Sequence, residues 1–267
     1  MLIPVSDICK RWELSPQTIL HVGAHAGEEL EEYERHLWGI DRVLWIEALP
    51  DLAAQLADFL KSRKHHRVIN AVAWHTCEPA QFFRTSNTQS SSILKLKGHL
   101  AEYPDIVETD SFEVQTTRLD DVLRSDPIHD LGIEFINLDV QGAELQALMG
   151  LGHMLTQASS VYSEVNLAEL YVGCTTFVPL NNFLAKNGFT VVDIRMTNAR
   201  WGDALWLRSD RLTCWARTWR RAIVYSRIVE SWVRFYLRGL PRIFRRSASL
   251  TMAVRSIRAR RSNSADC

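Results

Sequence analysis

The chain has no C-x-x-C pair. Its five cysteines, Cys9, Cys77, Cys174, Cys214 and Cys267, are odd in number and widely spaced. Neither a disulfide framework nor a structural zinc site is expected from that spacing. H-E-x-x-H and an aspartate-rich calcium loop are missing as well, so the expected chemistry uses no metal. No apolar run approaches the roughly 20 residues that span a bilayer. The opening stretch MLIPVSDICKRWELSP lacks a basic region followed by an apolar core, so no secretory signal is expected. A reduced, cytoplasmic setting is the resulting expectation. Lysine is missing from the last part of the chain, where residues 211–267 carry 14 arginines and only Glu230 and Asp266 as acids, a net charge of +12 against −12 for residues 1–210. An acidic body joined to an arginine-rich tail points to two jobs, or to one job and an anchor for anionic surfaces.

At 267 residues, 46% apolar and 23% charged, the chain suits one main domain with an appendage and a substantial core, which excludes disorder throughout. Strand-like runs at Ile19–Val22, Val43–Ile46, Arg67–Ala73, Ile133–Leu138, Val161–Val165 and Thr190–Ile194 alternate with helical spacing at Glu28–Leu37, Asp51–Leu60, Ala143–Leu148 and Phe177–Asn187. A further run, Ala204–Leu207, follows the short link Arg195–Asp203, too short for a crossover helix, and so predicts a late antiparallel hairpin. The expectation is a doubly wound, mostly parallel seven-stranded α/β sheet with helices on both faces. It occupies 18–210, after a helical lead-in at 1–17 and before a basic extension at 211–267. An insertion at 79–122 interrupts the alternation; it holds the polar cluster Thr85–Ser92, a helix near Ile93–Glu102 and an alternating run Ser111–Thr117. Such segments serve as lids or as plain surface hairpins.

Two blocks carry the chemistry. In TILHVGAHAGEE a strand feeds a turn where Gly23 and Gly27 flank Ala24, His25 and Ala26, which lets backbone N–H groups approach a ligand at a helix N-terminus. Glu47 ends the next strand, where a carboxylate suits a ribose diol. Together these suggest an adenosine-type cofactor, while the third glycine of the dinucleotide fingerprint is missing. Asn70 and Ala71 are placed to offer an amide to the base edge and room for its face. In IEFINLDVQGAELQALMG a buried strand ends in Asp139 and a helix opens at Glu144, so Asp139 overlooks the crevice above the sheet. Asp139 is the first candidate to bind the cofactor and to orient or deprotonate an acceptor. His25 is a second candidate base, with His75 and Glu164 as further neighbours of the crevice.

HVGAHAGEE, WIEALPDL, NAVAW, FINLDVQGAELQALMG, YSEVN, FLAKNGF and DALWLR stand in the order found in the FkbM family of S-adenosylmethionine-dependent methyltransferases, and the resemblance covers about residues 18–208. It implies the Rossmann-like methyltransferase fold, S-adenosyl-L-methionine as cofactor, and methyl transfer to a hydroxyl of a sugar, glycan or related metabolite. Cofactor contacts are expected from His21, Gly23, Ala24, His25, Gly27, Glu47, Asn70, Ala71 and Asp139. His21 stands where most members carry Asp, removing the usual acid for the methionine amino group, and Gln141 stands where many carry Glu.

In the tail, a helix over 215–237 sets Trp215, Trp219, Ala222, Val229, Trp232, Val233 and Tyr236 on one face. Arg217, Arg220, Arg221, Arg227, Arg234 and Arg238 lie on the other, with Val224, Ile228 and Phe235 as exceptions. Gly239 and Pro241 break the pattern before a second basic segment ending at Arg261. Peripheral contact with the inner face of an anionic membrane through 211–261, packing on the acidic body or on a second subunit, and nucleic-acid binding all compete. The last has no recognised motif behind it. The chain leaves its oligomeric state open. Two other functions fit parts of the pattern: a nicotinamide dehydrogenase, and a decayed methyltransferase domain kept as an adaptor or membrane-surface binding protein.

Overall fold

A computed structural model describes residues 1–124 and 126–237. Helix α1 (Val5–Trp12) precedes β1 (Thr18–Val22), α2 (Leu30–His36), β2 (Arg42–Glu47), α3 (Pro50–Leu60) and β3 (His66–Asn70). The excursion that follows holds β4 (Val72–Trp74), β5 (Pro79–Thr85), α4 (His99–Glu102) and β6 (Glu108–Arg118). Then come α5 (Leu119–Leu123), α6 (Ile128–Leu131), β7 (Phe135–Leu138), α7 (Glu144–Gly150), β8 (Ser160–Asn166), α8 (Phe177–Lys186), β9 (Phe189–Met196), β10 (Trp201–Arg208) and α9 (Cys214–Leu237).

The main sheet has seven strands in the order β3-β2-β1-β7-β8-β10-β9. Only β10 runs against its neighbours, because the link between β9 and β10 is a tight turn closed by Thr197 N–H donating to the Trp201 carbonyl (2.8 Å). Strand order reverses between β1 and β7, which opens a crevice at the carboxyl ends of these two strands.

Side-chain alternation divides the sheet between two cores. Leu44, Ile46, Ala204 and Trp206 face one side, with Leu148, Leu184 and Val224. Val43, Trp45, Leu205 and Leu207 face the other, with Ile8, Tyr33 and Leu56. Because both faces are covered, all five residues of β1 and all seven of β8 are buried, the polar Thr18, His21, Ser160, Ser163, Glu164 and Asn166 included.

Three expectations change on contact with the structure. The run Arg67–Ala73 is two strands: β3 pairs with β2, after which the chain leaves the main sheet and β4 pairs in parallel with β6 in a second, three-stranded sheet. The break falls where Asn70 Nδ2 donates to the carbonyls of Glu47 (2.8 Å) and Ala48 (2.9 Å), turning the strand end onto the loop beyond β2. The helix expected near Ile93–Glu102 is only the single turn α4. Upstream of it Leu96 bridges to Tyr171, and Gly98 passes so close to the main chain that a Cβ there would lie 2.7 Å from the Glu169 carbonyl. In α9, two of the expected exceptions, Val224 and Ile228, are buried together with Ser231, and Trp232 packs half-buried against the same core, while Trp215, Trp219 and Tyr236 of the expected aromatic face are exposed. Arg227 fastens this helix to Asp193 of β9. Gly239, Pro241 and the basic segment ending at Arg261 lie outside the described residues.

Among the described residues Cys9, Cys77, Cys174 and Cys214 are free thiols, no His, Cys, Asp or Glu group is arranged to hold a metal, and no helix is long and apolar enough to cross a membrane.

Candidate active site

The crevice widens into a cavity of about 450 Å³ over the ends of β1, β2, β7 and β8, a size within the roughly 300–1,000 Å³ of small-molecule sites. Its floor comes from strand-end residues and its cover from the excursion between β4 and β6.

At the end of β1, Gly23 and Ala24 donate their N–H groups to the Ile46 carbonyl at 2.9 and 3.0 Å. Gly23 has a φ of +88°, and a Cβ there would fall 1.8 Å from the Asp139 carbonyl oxygen. This residue has to be glycine because the loop crosses the end of β7 in contact. Gly27 is closed in the same way by Leu56 (2.7 Å). Gly23, His25, Glu47, Ala71, Asp139 and His21 all line the cavity. Ala24 and Gly27 do not; they shape the loop behind it. Asn70 is outside the cavity, because its amide is spent on the Glu47 and Ala48 carbonyls. The adenine contact assigned to Asn70 from sequence is thereby corrected.

Glu47 is almost fully buried. Its Oε2 accepts the His25 N–H at 2.7 Å and its Oε1 the Leu49 N–H at 2.8 Å. Each carboxylate oxygen has two acceptor sites, so these two bonds do not exhaust the carboxylate. Burial raises the pKa of Glu47, against the lowering effect of these N–H groups.

His25, with a φ of +45°, joins the loop to the cover: Nδ1 meets Glu28 Oε1 at 2.6 Å and Nε2 meets Thr88 Oγ1 at 2.8 Å. Its pKa is raised by the bond to Glu28. Both ring nitrogens are occupied, so His25 is a tether in this arrangement rather than a free base. His75, the other histidine near the third strand, is not among the residues lining the cavity.

His21 is buried and stacked on Trp45 (4.8 Å between centroids), and its Nδ1 lies 3.1 Å from the Tyr33 hydroxyl, which also accepts from Asn137 Nδ2 at 2.8 Å. Burial lowers its pKa and keeps it neutral. Two acids that sequence reasoning overlooked, Glu29 and Asp203, line this corner of the cavity, and the amino group of Met1 lies 3.4 Å from Glu29 Oε1.

Opposite stands a group of acids. Asp139 is exposed to the cavity; the protein atoms crowded around its carboxyl and the charge of Asp203 push its pKa up to about 7. Gln141 Nε2 donates to Asp139 Oδ1 (2.6 Å) and to Glu164 Oε2 (3.1 Å), while its Oε1 accepts from the Tyr171 hydroxyl (2.5 Å). Glu164 faces Asp203 directly across the β8–β10 pairing, and burial with the neighbouring Asp139, Glu144 and Asp203 raises its pKa well above the usual range. Like charges set opposite one another disfavour ionisation. Tyr162 relieves Asp203 by donating its hydroxyl to it. Glu144, at the start of α7, lies behind this group and accepts the Gly142 N–H at 2.9 Å.

The far wall is aromatic. His99 packs against Tyr103 and Tyr171 with centroids 5.0 and 5.5 Å apart, and Trp201 donates Nε1 to the Tyr103 hydroxyl at 2.9 Å. His99 Nδ1 is buried without a partner. No local pattern announces these rings, since they come from segments up to a hundred residues apart. Asp203 did carry a signal: it is an acid inside the apolar run of β10.

A seven-stranded α/β sheet with one reversed strand, a glycine loop after the first strand and acids at the next strand ends define a Rossmann-like methyltransferase fold. The profile of the Methyltransferase FkbM domain matches residues 21–191, and the chain belongs to that family. It is 37% identical over 84 residues to the 2-O-methyltransferase NoeI of Sinorhizobium fredii (strain NBRC 101917 / NGR234), a stretch covering 32% of this chain and 34% of NoeI. The crystal structure of methyltransferase FkbM from Methylobacillus flagellatus KT superposes with a TM-score of 0.50 at 17% identity, covering 76% of this chain and 48% of that one. The chain thus spans about a third of NoeI and about half of the solved relative.

Proposed function

We propose that the chain is an S-adenosyl-L-methionine-dependent O-methyltransferase whose acceptor is a hydroxyl of a sugar, glycan or related metabolite. One observation carries this reading: a single cavity brings Gly23, Glu47 and Ala71 together with Asp139, Gln141, Glu164 and an aromatic wall. Family membership and the partial likeness to an enzyme named a 2-O-methyltransferase support it.

S-adenosylmethionine, when bound, supplies a methyl group on a sulfonium. The residues here fit it: the buried Glu47 carboxylate at the end of β2 suits a ribose diol, and Ala71 leaves space beside the base. For an in-line displacement the protein's main task is to hold the acceptor oxygen at near-attack distance. Asp139 is the base that takes the hydroxyl proton, poised by a pKa of about 7. Gln141 aims it, and the rings His99, Tyr103 and Tyr171 offer a flat apolar face to a sugar while Glu164 accepts from its hydroxyls.

The test is calorimetry of the full chain with S-adenosylmethionine, S-adenosylhomocysteine and NAD, followed by methyl-label transfer into cell extracts fractionated into glycan, lipid, protein and small-molecule pools. Binding of the first two and label in the glycan or small-molecule pool are expected. NAD binding alone overturns the reading in favour of a dehydrogenase, binding of none favours an adaptor, and label confined to protein removes the proposed acceptor class.

A further inference from the structure

Helix α9 packs on the body through Val224, Ile228, Ser231 and the half-buried Trp232, with Tyr225 edge-on to Phe177, and leaves a second apolar stripe uncovered. Trp215, Trp219, Val229 and Tyr236 are each 43–72% exposed. At the ~100° step per residue of an α-helix, these four fall within an arc of ~100°, turned away from the packed face. Trp215 and Trp219 stack on each other at 5.8 Å, so the two largest rings present one continuous apolar patch to solvent.

Positive charge lies beside the stripe: Arg221 borders it and Arg211 precedes the helix, and neither pairs with a carboxylate among the described residues, whereas Arg227 and Arg234 are engaged by Asp193 and Glu230. The 30 residues that follow Leu237 add eight arginines against the single acid Asp266. An uncovered aromatic stripe beside an excess of arginine needs an occupant that is apolar in depth and negative at its surface.

We propose that α9 and the arginine-rich segment after it bind the surface of an anionic lipid bilayer, with Trp215, Trp219 and Tyr236 seated at the headgroup boundary and the arginines on acidic headgroups. Tryptophan and tyrosine favour that boundary, and basic segments next to it are drawn to anionic lipid. The helix lies on the membrane and does not cross it, in keeping with a stripe that is apolar on one side only. A second copy of the chain is a poor occupant, because its matching face carries the same positive excess. A nucleic acid would meet the arginines but leave Val229 and the stacked rings with nothing apolar to cover them.

The experiment is co-sedimentation of the full chain with vesicles of phosphatidylglycerol and phosphatidylcholine in equal parts, and with phosphatidylcholine alone, in low and high salt. At least tenfold stronger binding to the anionic vesicles is expected, weakening as salt screens the charge. Trp215→Ser with Trp219→Ser is expected to lose at least tenfold, while Trp38→Ser, an exposed ring in the loop after α2, is expected to bind as the parent does. Both Trp215 and Trp219 are outside the core, so circular dichroism should show an unchanged fold. Equal sedimentation of the double variant, no preference for anionic vesicles, or a dimer or RNA complex abolished by the same two substitutions would overturn the proposal.

Discussion

Glu47→Gln tests the cofactor half of the cavity. The carboxylate accepts two main-chain N–H groups, from His25 at 2.7 Å and Leu49 at 2.8 Å, and is buried. Glutamine offers one carbonyl oxygen in place of two carboxylate oxygens and sets an NH2 against the other donor. One N–H is left unpaired, at a cost to the fold of ~1–3 kcal/mol, or a fall in Tm of several degrees for a chain this long. Binding suffers separately, since the charged acceptor for a ribose diol is lost. That loss is ~1.5–3 kcal/mol, or ~10–150-fold in Kd for S-adenosylhomocysteine. Calorimetric titration well below the variant's own Tm separates the two effects, and thermal unfolding without ligand measures the first alone. A folded Glu47→Gln protein that binds S-adenosylhomocysteine as tightly as the parent would refute the assignment of Glu47 to the cofactor.

Three further outcomes are expected. If Asp139 takes the acceptor's proton, the rate of methyl transfer should rise with pH through about 7, and Asp139→Asn should be flat across that range and slower by ~10²–10⁴-fold; a retained inflection in a pH–rate series would exclude this role. Glu144 has its pKa pushed up to about 7, first by burial, so the folded state holds a proton that the unfolded state has released between pH ~4.3 and 7. Its contribution to stability therefore falls as pH rises through that window, and Glu144→Gln should raise the Tm at pH 8 by an amount, at most ~4 kcal/mol equivalent, that shrinks toward pH 5. An equal effect at both pH values would count against a charged Glu144. Gly23→Ala places a methyl 1.8 Å from the Asp139 carbonyl at a φ of +88°, and a loss of ~3 kcal/mol or more is expected in urea unfolding; a wild-type midpoint would show that the loop does not touch β7.

What the sequence made legible was local. The apolar runs of β1, β2, β7 and β8, the glycine loop and the acids at strand ends follow from periodicity and from residues that break it. The cover was not legible in the same way. His99, Tyr103, Tyr171 and Trp201 are neighbours only because the excursion folds over the sheet, and no spacing within one segment encodes that. Asn70 misled because an amide at a strand end can serve the main chain as well as a ligand, and here two carbonyls claim it. The tail misled for a related reason. A helix with apolar residues on two sides has two candidate faces, and Val224 and Ile228, two of the exceptions, fit against the body, whereas Trp215 and Trp219 of the tryptophan row do not.

The ring of His25 has a consequence for how the two substrates sense each other. It is a joint between loop and cover: it bonds Thr88 of the cover, and Glu28, its other partner, accepts from Gln89 of the cover at 3.0 Å, so under the proposed function whatever shifts the cover pulls on the grip that holds the donor. An acceptor that presses the joint home strengthens donor affinity, and by linkage the donor strengthens the acceptor's by the same factor. Donor affinity that ignores a saturating acceptor would mean that the joint is slack.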